Sequence, residues 1–542
     1  MLNRPITRWL TIAVVCFLAL APFLWKGIPS GHDFEFHMFS WIEVVSQWKQ
    51  GIMYPRWASL AHWGYGEARF IFYPPASWTL GAALGVILPW KLVPGAYIWI
   101  TLCLAGASMF RLAREWLSPR DALFAAAFYA VNPYHLVIVY WRSAFAELLA
   151  AALLPLFVLA IIRLKQPGIR PVLTLSMVLC AAWLTNAPAA VMVHYSAAAI
   201  AVTLAVVERS WIPLRKTALA VALGVGLASF YVIPAAYEGK WVNIGEVLAP
   251  GVRPQDNFLF TNIPDPEHNQ FNRLVSTVAA VEIGAVVAAI WFSRKWRSEQ
   301  RVPWALLATW GTAAALLMLS PTNPLWQHLP KLRFVQLPWR WLLCLNAALA
   351  ILLAASARRW RARVAAYLVL IAVVVWGAYR IQQPWWDSAA DVQEMRDDVA
   401  DAAGYEGTDE YVPLGADPYE LNKDLPEVAA EHKETTRVEV REWGAASKQI
   451  TVRTDRPQLL TLRLFNYPAW EVTVNGERVE AKTTDVTGQM RIAVSPGSDD
   501  IRIHFGRTPD RTIGGWISLL SLVVMLSAWA KTRPRPATVS AT

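Results

Sequence analysis

The chain has 542 residues, 55% of them hydrophobic, with 29 tryptophans and a formal charge of +10. Many apolar runs approach the roughly 20 residues that cross a bilayer, which excludes a soluble globular protein and predicts a polytopic helical membrane protein. Residues 381–511 contain 25 acidic and 15 basic side chains, whereas the rest of the chain contains 15 acidic and 35 basic ones. Basic residues of membrane proteins concentrate in cytoplasmic loops, so the basic excess outside 381–511 chiefly reflects topology and gives little support for nucleic-acid binding.

The first apolar run, residues 9–25, follows Arg4 and Arg8 and is too long for a signal-peptide core. The N-terminus is therefore expected in the cytoplasm, with the loop of residues 27–75 on the outer side. Two apolar runs then precede the next basic loop, although only one crossing can connect an outer to an inner loop. The first of these, residues 76–90, is short and bracketed by prolines, which predicts a re-entrant or interfacial segment.

Further alternation of apolar runs and basic loops predicts about 12 spans plus the re-entrant segment. The transmembrane domain comprises residues 1–380, the final span residues 512–531, and a cytoplasmic tail residues 532–542. Both termini are thus expected in the cytoplasm.

An extracytoplasmic region is predicted before the final span. Residues 381–435 are acidic with few aliphatics and indicate an extended or loosely helical connector. Residues 436–511 contain alternating stretches separated by turn residues, and Asn475-Gly476 is a strong hairpin signal. The predicted fold is therefore an all-α polytopic membrane protein with a small β-sandwich-like domain before the last span.

Ionisable residues cluster immediately after the first span, where Asp33, Glu35 and His37 lie beside the membrane. Such groups are costly there unless a partner or ligand compensates them, which makes the cluster a candidate functional site. Asp33 and His37 are spaced to share one helix face. Asp33 could accept a proton from an acceptor hydroxyl or hold that hydroxyl, while His32 or His37 could orient the acceptor, assist proton transfer or ligate a divalent ion. Alternatively, Asp33 caps the helix and His37 bonds a neighbouring loop.

Three further charged residues are predicted at outer membrane boundaries. Arg142 could hold a lipid phosphate, and Glu147 could bind sugar hydroxyls, orient Arg142 or help hold a cation. Alternatively, the two could simply form an ion pair. Arg340 lies between tryptophans, against the positive-inside trend, and is the preferred phosphate ligand, with snorkelling to lipid headgroups as the alternative.

Several motifs carry a resemblance to known families. Gly31-His32-Asp33, Y-P-R-W at 54–57 and F-Y-P-P at 72–75 resemble the first outer loop of GT-C glycosyltransferases. Together with N-P-Y-H at 132–135, L-P-W-R at 337–340 and Y-P-x-W-x-V-x-V-N-G at 467–476, they are similar to the bacterial 6-pyruvoyl-tetrahydropterin synthase-related membrane proteins, akin to the YfhO-like proteins.

The GT-C resemblance implies an integral glycosyltransferase of the bacterial inner membrane. It would transfer a sugar from a polyprenyl-phosphate donor to an extracytoplasmic glycan, lipid or protein, with Asp33 as base and with inversion at the anomeric carbon. No acidic D-x-D pair follows in the second outer loop, so a role for Mg or Mn stays open. The alternative is a non-enzymatic transporter or lipid-carrier handling protein that uses the same cavity.

Overall fold

The computed structural model describes residues 5–356 and 359–531 of the chain. Arg4 and the predicted tail of residues 532–542 lie outside the described residues. The described part is mostly helical, and a small β domain precedes its last helix. The helices are α1 Pro5–Leu18, α2 Phe23–Lys26, α3 Phe34–Lys49, α4 Ala61–Gly64, α5 Arg69–Phe72, α6 Pro75–Ile87, α7 Val93–Ala113, α8 Pro119–Ala130, α9 Pro133–Val137, α10 Phe145–Ala151, α11 Leu153–Ile162, α12 Arg170–Thr185, α13 Ala187–Glu208, α14 Ile212–Glu238, α15 Pro266–Phe292, α16 Arg294–Glu299, α17 Arg301–Leu317, α18 Asn323–His328, α19 Leu342–Ser356, α20 Trp360–Arg380, α21 Ala389–Ala400 and α22 Pro509–Lys531.

Within the described ranges, ten helical segments are long and apolar enough to cross a membrane. They are Ile6–Lys26, Trp90–Ala113, Pro119–Arg142, Phe145–Lys165, Ala187–Glu208, Ile212–Trp241, Pro266–Phe292, Pro338–Ser356, Trp360–Arg380 and Pro509–Lys531. An eleventh results if Arg301–Leu317 and Ser320–His328, bent by 91°, form one span. The predicted number of twelve is reached only by adding α12, whose 16 residues rise about 24 Å, less than the hydrocarbon thickness.

The segment predicted to be re-entrant forms α6, which has 13 residues. A helix of that length rises only about 20 Å, so it does not cross the bilayer. Pro74 and Pro75 fix its beginning and Leu88 ends it in extended conformation. A 3-10 turn, Trp90–Leu92, then leads directly into α7.

The β domain contains two sheets whose buried side chains form one core. The 2-residue strands β1 Ile28–Pro29 and β2 Trp386–Asp387 pair with each other outside this domain. The four-stranded sheet has the order β3-β6-β10-β9 and the five-stranded sheet the order β4-β5-β11-β7-β8. The strands are β3 Val428–Ala430, β4 Thr436–Trp443, β5 Ser447–Thr454, β6 Gln458–Phe465, β7 Trp470–Val474, β8 Glu477–Val479, β9 Lys482–Thr483, β10 Gln489–Val494 and β11 Gly497–Phe505.

The strand prediction is confirmed for the hairpin at Asn475-Gly476, which joins β7 to β8. Asn475 and Gly476 both have positive φ, of 53° and 89°, as a type I′ turn requires. The predicted boundary at residue 436 is displaced, because β3 lies before it and pairs with β6. β3 has only three residues, too few for a recognisable alternation.

The predicted connector is more ordered than its composition indicates. α21 begins with a capping box formed by Ser388 and Asp391, which satisfies backbone N–H groups at the helix start. Its buried side chains Val392, Met395 and Val399 join the core around α3. Tertiary burial of this apolar stripe therefore makes a regular helix from a segment predicted to be extended or loosely helical.

Candidate functional site

The Gly31–Asp33 segment lies directly against the backbone of Trp141 and Arg142. The His32 N–H donates to the Trp141 carbonyl at 3.1 Å and the Asp33 N–H to the Arg142 carbonyl at 2.8 Å. A Cβ at Gly31 would lie 2.2 Å from the Trp141 carbonyl oxygen. Only glycine permits this approach, which brings the two candidate residues Asp33 and Arg142 together although they are far apart in sequence.

An irregular helix end presents Arg142 to this segment. Residues Ile138–Arg142 form a π-helical turn and Ser143 follows with φ 48° and ψ 32°, a left-handed conformation that is uncommon for serine. The Ser143 hydroxyl accepts from the Gly31 N–H and donates to the Pro29 carbonyl, both at 2.9 Å. Such irregularities are frequent at functional sites, and here the surrounding bonds hold the turn in place.

Acidic and basic side chains alternate in a charged cluster that contains four of the predicted site residues, Asp33, Arg142, Glu147 and Arg340. The Arg142 Nη2 lies 2.9 Å from the Asp33 Oδ2, and the Arg142 Nη1 lies 3.6 Å from the Glu147 Oε2. The Arg340 Nε contacts the same Glu147 oxygen at 3.1 Å. The Glu147 side chain is 2% exposed and the Asp33 side chain 36% exposed. The charged cluster therefore extends from the buried Glu147 to the accessible carboxylate of Asp33.

Asp33 occupies the N-cap position of α3, yet its side chain makes no capping hydrogen bond. Its oxygen contacts Arg142 instead, so the helix-cap alternative is not realised. Burial by itself would raise the pKa of Asp33, but the Arg142 guanidinium outweighs burial and holds the pKa below its ordinary value. Asp33 is consequently ionised at neutral pH.

Arg340 is fixed by two acceptors besides Glu147. Its Nη1 donates to the Val335 carbonyl at 2.8 Å and to the Gln336 Oε1 at 3.0 Å. Gln336 has φ 66° and ψ −62°, a strained backbone for a non-glycine residue, and its amide donates to the Val247 carbonyl at 2.7 Å. The long loop after α14 therefore contributes to the placement of Arg340.

The alternating cluster includes residues that the sequence interpretation did not assign to it. The Tyr134 hydroxyl donates to the Glu147 Oε1 at 2.5 Å, and the Arg142 guanidinium lies 4.9 Å from the centre of the Trp339 ring. Tyr134 belongs to the N-P-Y-H motif and Trp339 to the L-P-W-R motif, so both motifs could have indicated these contacts. Gln336 precedes the second motif by one residue and carried no signal of its own.

His37 lies one helical turn after Asp33 but does not bond its carboxylate. Its side chain is buried among aromatic rings, including Trp41 and Phe145, and its Nε2 is 3.5 Å from the Tyr73 hydroxyl. Burial lowers the pKa of His37 to about 4 against the opposing effect of Asp33. The imidazole is thus neutral at pH 7, and its position fits the expected loop contact.

His32 lies at the surface beside Asp33, with its ring against Phe271 and Trp385 at centroid distances of 4.7 and 5.3 Å. Desolvation by its surroundings lowers the pKa of His32 to about 4, and Arg142 acts in the same direction. Trp385 also lines a cavity of about 390 Å³ with Gln270 and Gln382. A polar cavity therefore adjoins the exposed end of the cluster.

Glu35 is not brought into this cluster. It is exposed on α3, and burial together with the nearby Asp387 and Glu406 carboxylates raises the pKa of Glu35. Among the described residues it has no hydrogen bond or ion pair with the other six predicted site residues. Two residues along a helix turn the side chain by about 200°, which directs Glu35 away from Arg142.

The cluster does not fit a divalent cation. Within residues 5–356 and 359–531, no three His, Cys, Asp or Glu side chains meet in a way that could hold a metal ion. Asp33 already pairs with Arg142, and both oxygens of Glu147 are engaged by Tyr134 and Arg340. Two adjacent guanidinium groups would also repel a metal ion.

The helical bundle and its charged cluster define a polytopic membrane protein with a β domain before its last helix. Residues 70–383 match the family described as "6-pyruvoyl-tetrahydropterin synthase related domain; membrane protein", and the chain belongs to this family. Arg142, Glu147 and Arg340 lie in the matched range, whereas Asp33 precedes it. A comparison with curated protein sequences gives no match.

Solved structures similar to the chain include ArnT from Cupriavidus metallidurans bound to undecaprenyl phosphate. The two sequences are 14% identical, the match covers 68% of this chain and 63% of that chain, and the TM-score is 0.45. The Archaeoglobus fulgidus oligosaccharyltransferase in its apo form has 14% identity, coverage of 74% and 56%, and a TM-score of 0.41. The same organism's AglB, in complex with an inhibitory peptide and a dolichol-phosphate, has 13% identity, coverage of 74% and 56%, and a TM-score of 0.40. The chain thus spans less than two thirds of the length of each.

Proposed function

We propose that this protein is an integral glycosyltransferase of the bacterial cytoplasmic membrane, with both termini in the cytoplasm and its active site outside. It transfers one sugar from a polyprenyl-phosphate donor to a hydroxyl of an extracytoplasmic glycan, lipid or protein. The observation that carries the proposal is the charged cluster in which a partly exposed Asp33 pairs with buried Arg142, and Glu147 joins Arg142 to Arg340. A carboxylate and two adjacent guanidinium groups are the groups that transfer from a phosphate ester requires.

In the proposed reaction, Asp33 accepts the proton of the acceptor hydroxyl as the oxygen attacks the anomeric carbon. The bond between that carbon and the phosphate oxygen breaks with inversion, and the polyprenyl phosphate leaves with the bonding electrons. The low pKa of Asp33 keeps the carboxylate ionised before attack. The proton then passes to water, which restores the carboxylate.

The two arginines stabilise the leaving phosphate as its negative charge develops. The Arg142 Nη1 is buried and has no hydrogen-bond partner among the described residues, because its distance of 3.6 Å from Glu147 is too long for a hydrogen bond. It is therefore available to a phosphate oxygen. Glu147 holds both guanidinium groups in position, and Trp339 packs against the face of Arg142.

The polar cavity beside His32 supplies a place for sugar hydroxyls. Gln270, Gln382 and Trp385 line it, and amide groups with an aromatic face suit a polyhydroxyl ligand. Neutral His32 precedes Asp33 in the chain and contacts Trp385 of this cavity. Its ring can accept a hydrogen bond from the acceptor or donate one to it.

The test is sugar release from radiolabelled polyprenyl-phosphate sugars by the purified full-length protein. Asp33→Asn should fold normally and lose at least about 100-fold in transfer, the range for a general base. The matched control is Glu35→Gln, which changes the same charge two residues away, outside the cluster, and should retain activity within about twofold. Full activity of Asp33→Asn would refute the base assignment. Donor binding without turnover for every acceptor tested would instead indicate a carrier-handling protein.

A further inference from the structure

A second groove, separate from the charged cluster, lies where the end of α3, the turn after α6 and the helix α21 meet. It has a volume of about 490 Å³, and its cations are Lys49, Lys91 and Arg396. None of the described residues that line it is acidic. Three segments far apart in sequence therefore contribute one positive charge each to one basic groove.

These cations are largely uncommitted. Lys49 and Lys91 are exposed and form no hydrogen bond or ion pair with another described residue. The Arg396 Nη1 donates to the Gln393 Oε1 at 2.8 Å, and within the described chain this is its single polar contact. Within the described chain no carboxylate forms an ion pair with these three side chains, so they can attract an anion.

The distribution of charge on α21 strengthens this point. The helix has four carboxylates, at Asp391, Glu394, Asp397 and Asp398, and none of them lines the groove. Arg396 is the single cation of the helix, and it does line the groove. An otherwise acidic helix thus presents its positive side chain to Lys49 and Lys91.

The groove also has an apolar wall at the membrane boundary. The Trp90 ring lies over Gly85, where an added Cβ would be 2.4 Å from a ring atom. Val86, Ile87 and Leu92 are 63%, 76% and 52% exposed beside it, and the candidate span Trp90–Ala113 begins here. Exposed aliphatic side chains at the beginning of a span face lipid chains.

We propose that this groove binds the phosphate headgroup of an anionic membrane lipid, with the lipid chains along Val86, Ile87 and Leu92. Basic side chains beside an aromatic ring and an apolar surface at the interface are the groups that such a lipid requires. The groove is at the far end of α3 from Asp33, about 24 Å along a helix of this length. The site is therefore independent of the proposed transfer reaction, and an occupied groove would link α6 and α21 to α3.

The experiment measures the thermal stabilisation of the full-length detergent-solubilised protein during titration with phosphatidylglycerol and with phosphatidylcholine. The wild-type protein should respond selectively to phosphatidylglycerol. The variant Lys49→Gln/Lys91→Gln/Arg396→Gln should bind it at least about tenfold more weakly, given three lost charges near the surface. The single variant Lys91→Gln, at an exposed residue without a partner, should lose about threefold and covers the case in which the triple variant folds poorly.

The matched control is Lys26→Gln/Lys331→Gln/Arg333→Gln, which removes three cations outside the groove and should change the affinity less than about twofold. An equal loss in both triple variants would overturn the proposal, because the effect would be general surface attraction. An equal response to both lipids would also overturn it. Full protection by inorganic phosphate alone would show a simple anion site and reject the lipid as its occupant.

Discussion

At the scale of single residues, the charged cluster depends on which partner each ionisable group finds. Asp33 is at a helix N-cap but contacts Arg142, and Glu147 is shared between Arg142 and Arg340. Desolvated charges are tolerated only when such partners are present, and removing one leaves the other uncompensated. The cluster should therefore respond to substitution quite differently from surface ion pairs.

Replacing Glu147 by Gln is expected to destabilise the protein by about 3 kcal/mol, because two buried guanidinium groups lose their shared carboxylate. Thermal unfolding in detergent measures the change. Glu115→Gln is the control, since Glu115 pairs with Arg163 at the surface, where the side chains are 32% and 46% exposed; its expected cost is below about 1 kcal/mol. Equal effects of the two variants would contradict the central role of Glu147.

His37 should make stability depend on pH. Its pKa is about 4 in the folded protein against an ordinary 6.5, so the unfolded chain binds a proton first as the pH falls. The stabilisation by neutral His37 is complete above pH 6.5 and is lost as the pH falls from 6.5 to 4. Relative to His37→Phe, the wild-type unfolding temperature should decrease over this interval. Parallel curves for the two proteins would argue against a buried neutral imidazole.

At the scale of elements, the site is a junction between the segment before α3 and the π-helical turn Ile138–Arg142. The two backbones are joined by hydrogen bonds from His32 and Asp33, and Ser143 closes the junction with its hydroxyl. The geometry of Asp33 and Arg142 is thus set by main-chain contact. Changes in that contact should affect both stability and activity.

Gly31→Ala tests this junction. The new methyl group would lie 2.2 Å from the Trp141 carbonyl oxygen, and such overpacking should cost about 1–3 kcal/mol and separate Asp33 from Arg142. Gly245→Ala is the matched control, because nothing lies within 4 Å of a Cβ added there. Unfolding temperature and transfer activity should both fall for Gly31→Ala. An unaltered Gly31→Ala protein would mean that the two segments can separate freely.

At the scale of the whole molecule, a buried ion pair joins the β domain and last helix to α14. Glu238, 0% exposed, accepts from the Arg511 Nε at 2.7 Å and Nη2 at 2.8 Å, and from the Tyr467 hydroxyl at 2.6 Å. Trp57 of the first loop packs on Tyr467 with a centroid distance of 5.4 Å. The β domain therefore contacts both the end of α14 and the first loop.

Arg511→Gln should loosen this attachment, because Glu238 would remain buried with one strong partner fewer. Faster hydrogen exchange is expected in Trp57 and in β7, while the other strands of the β domain keep their protection. Arg478→Gln provides the control, since the Arg478–Glu471 pair is exposed, at 74% and 48%, and its loss should leave exchange unchanged. Unaltered exchange in both variants would show that apolar packing alone holds the domain.

The sequence by itself determined the membrane class, the shortness of α6, the hairpin at Asn475-Gly476 and the candidate charged residues. Each of these follows from apolar run length, alternation or turn chemistry, which are properties of neighbouring residues. Such local patterns did not predict helix α21, because its order comes from burial against α3.

Only the tertiary structure decided which candidates meet. Asp33 pairs with Arg142 across 109 positions and Glu147 with Arg340 across 193, while Glu35, two residues from Asp33, is left outside. The physical reason is that side-chain pairing over such separations depends on how helices pack and where a backbone breaks, as at Ser143. Local sequence patterns specify the charges, and packing specifies their partners.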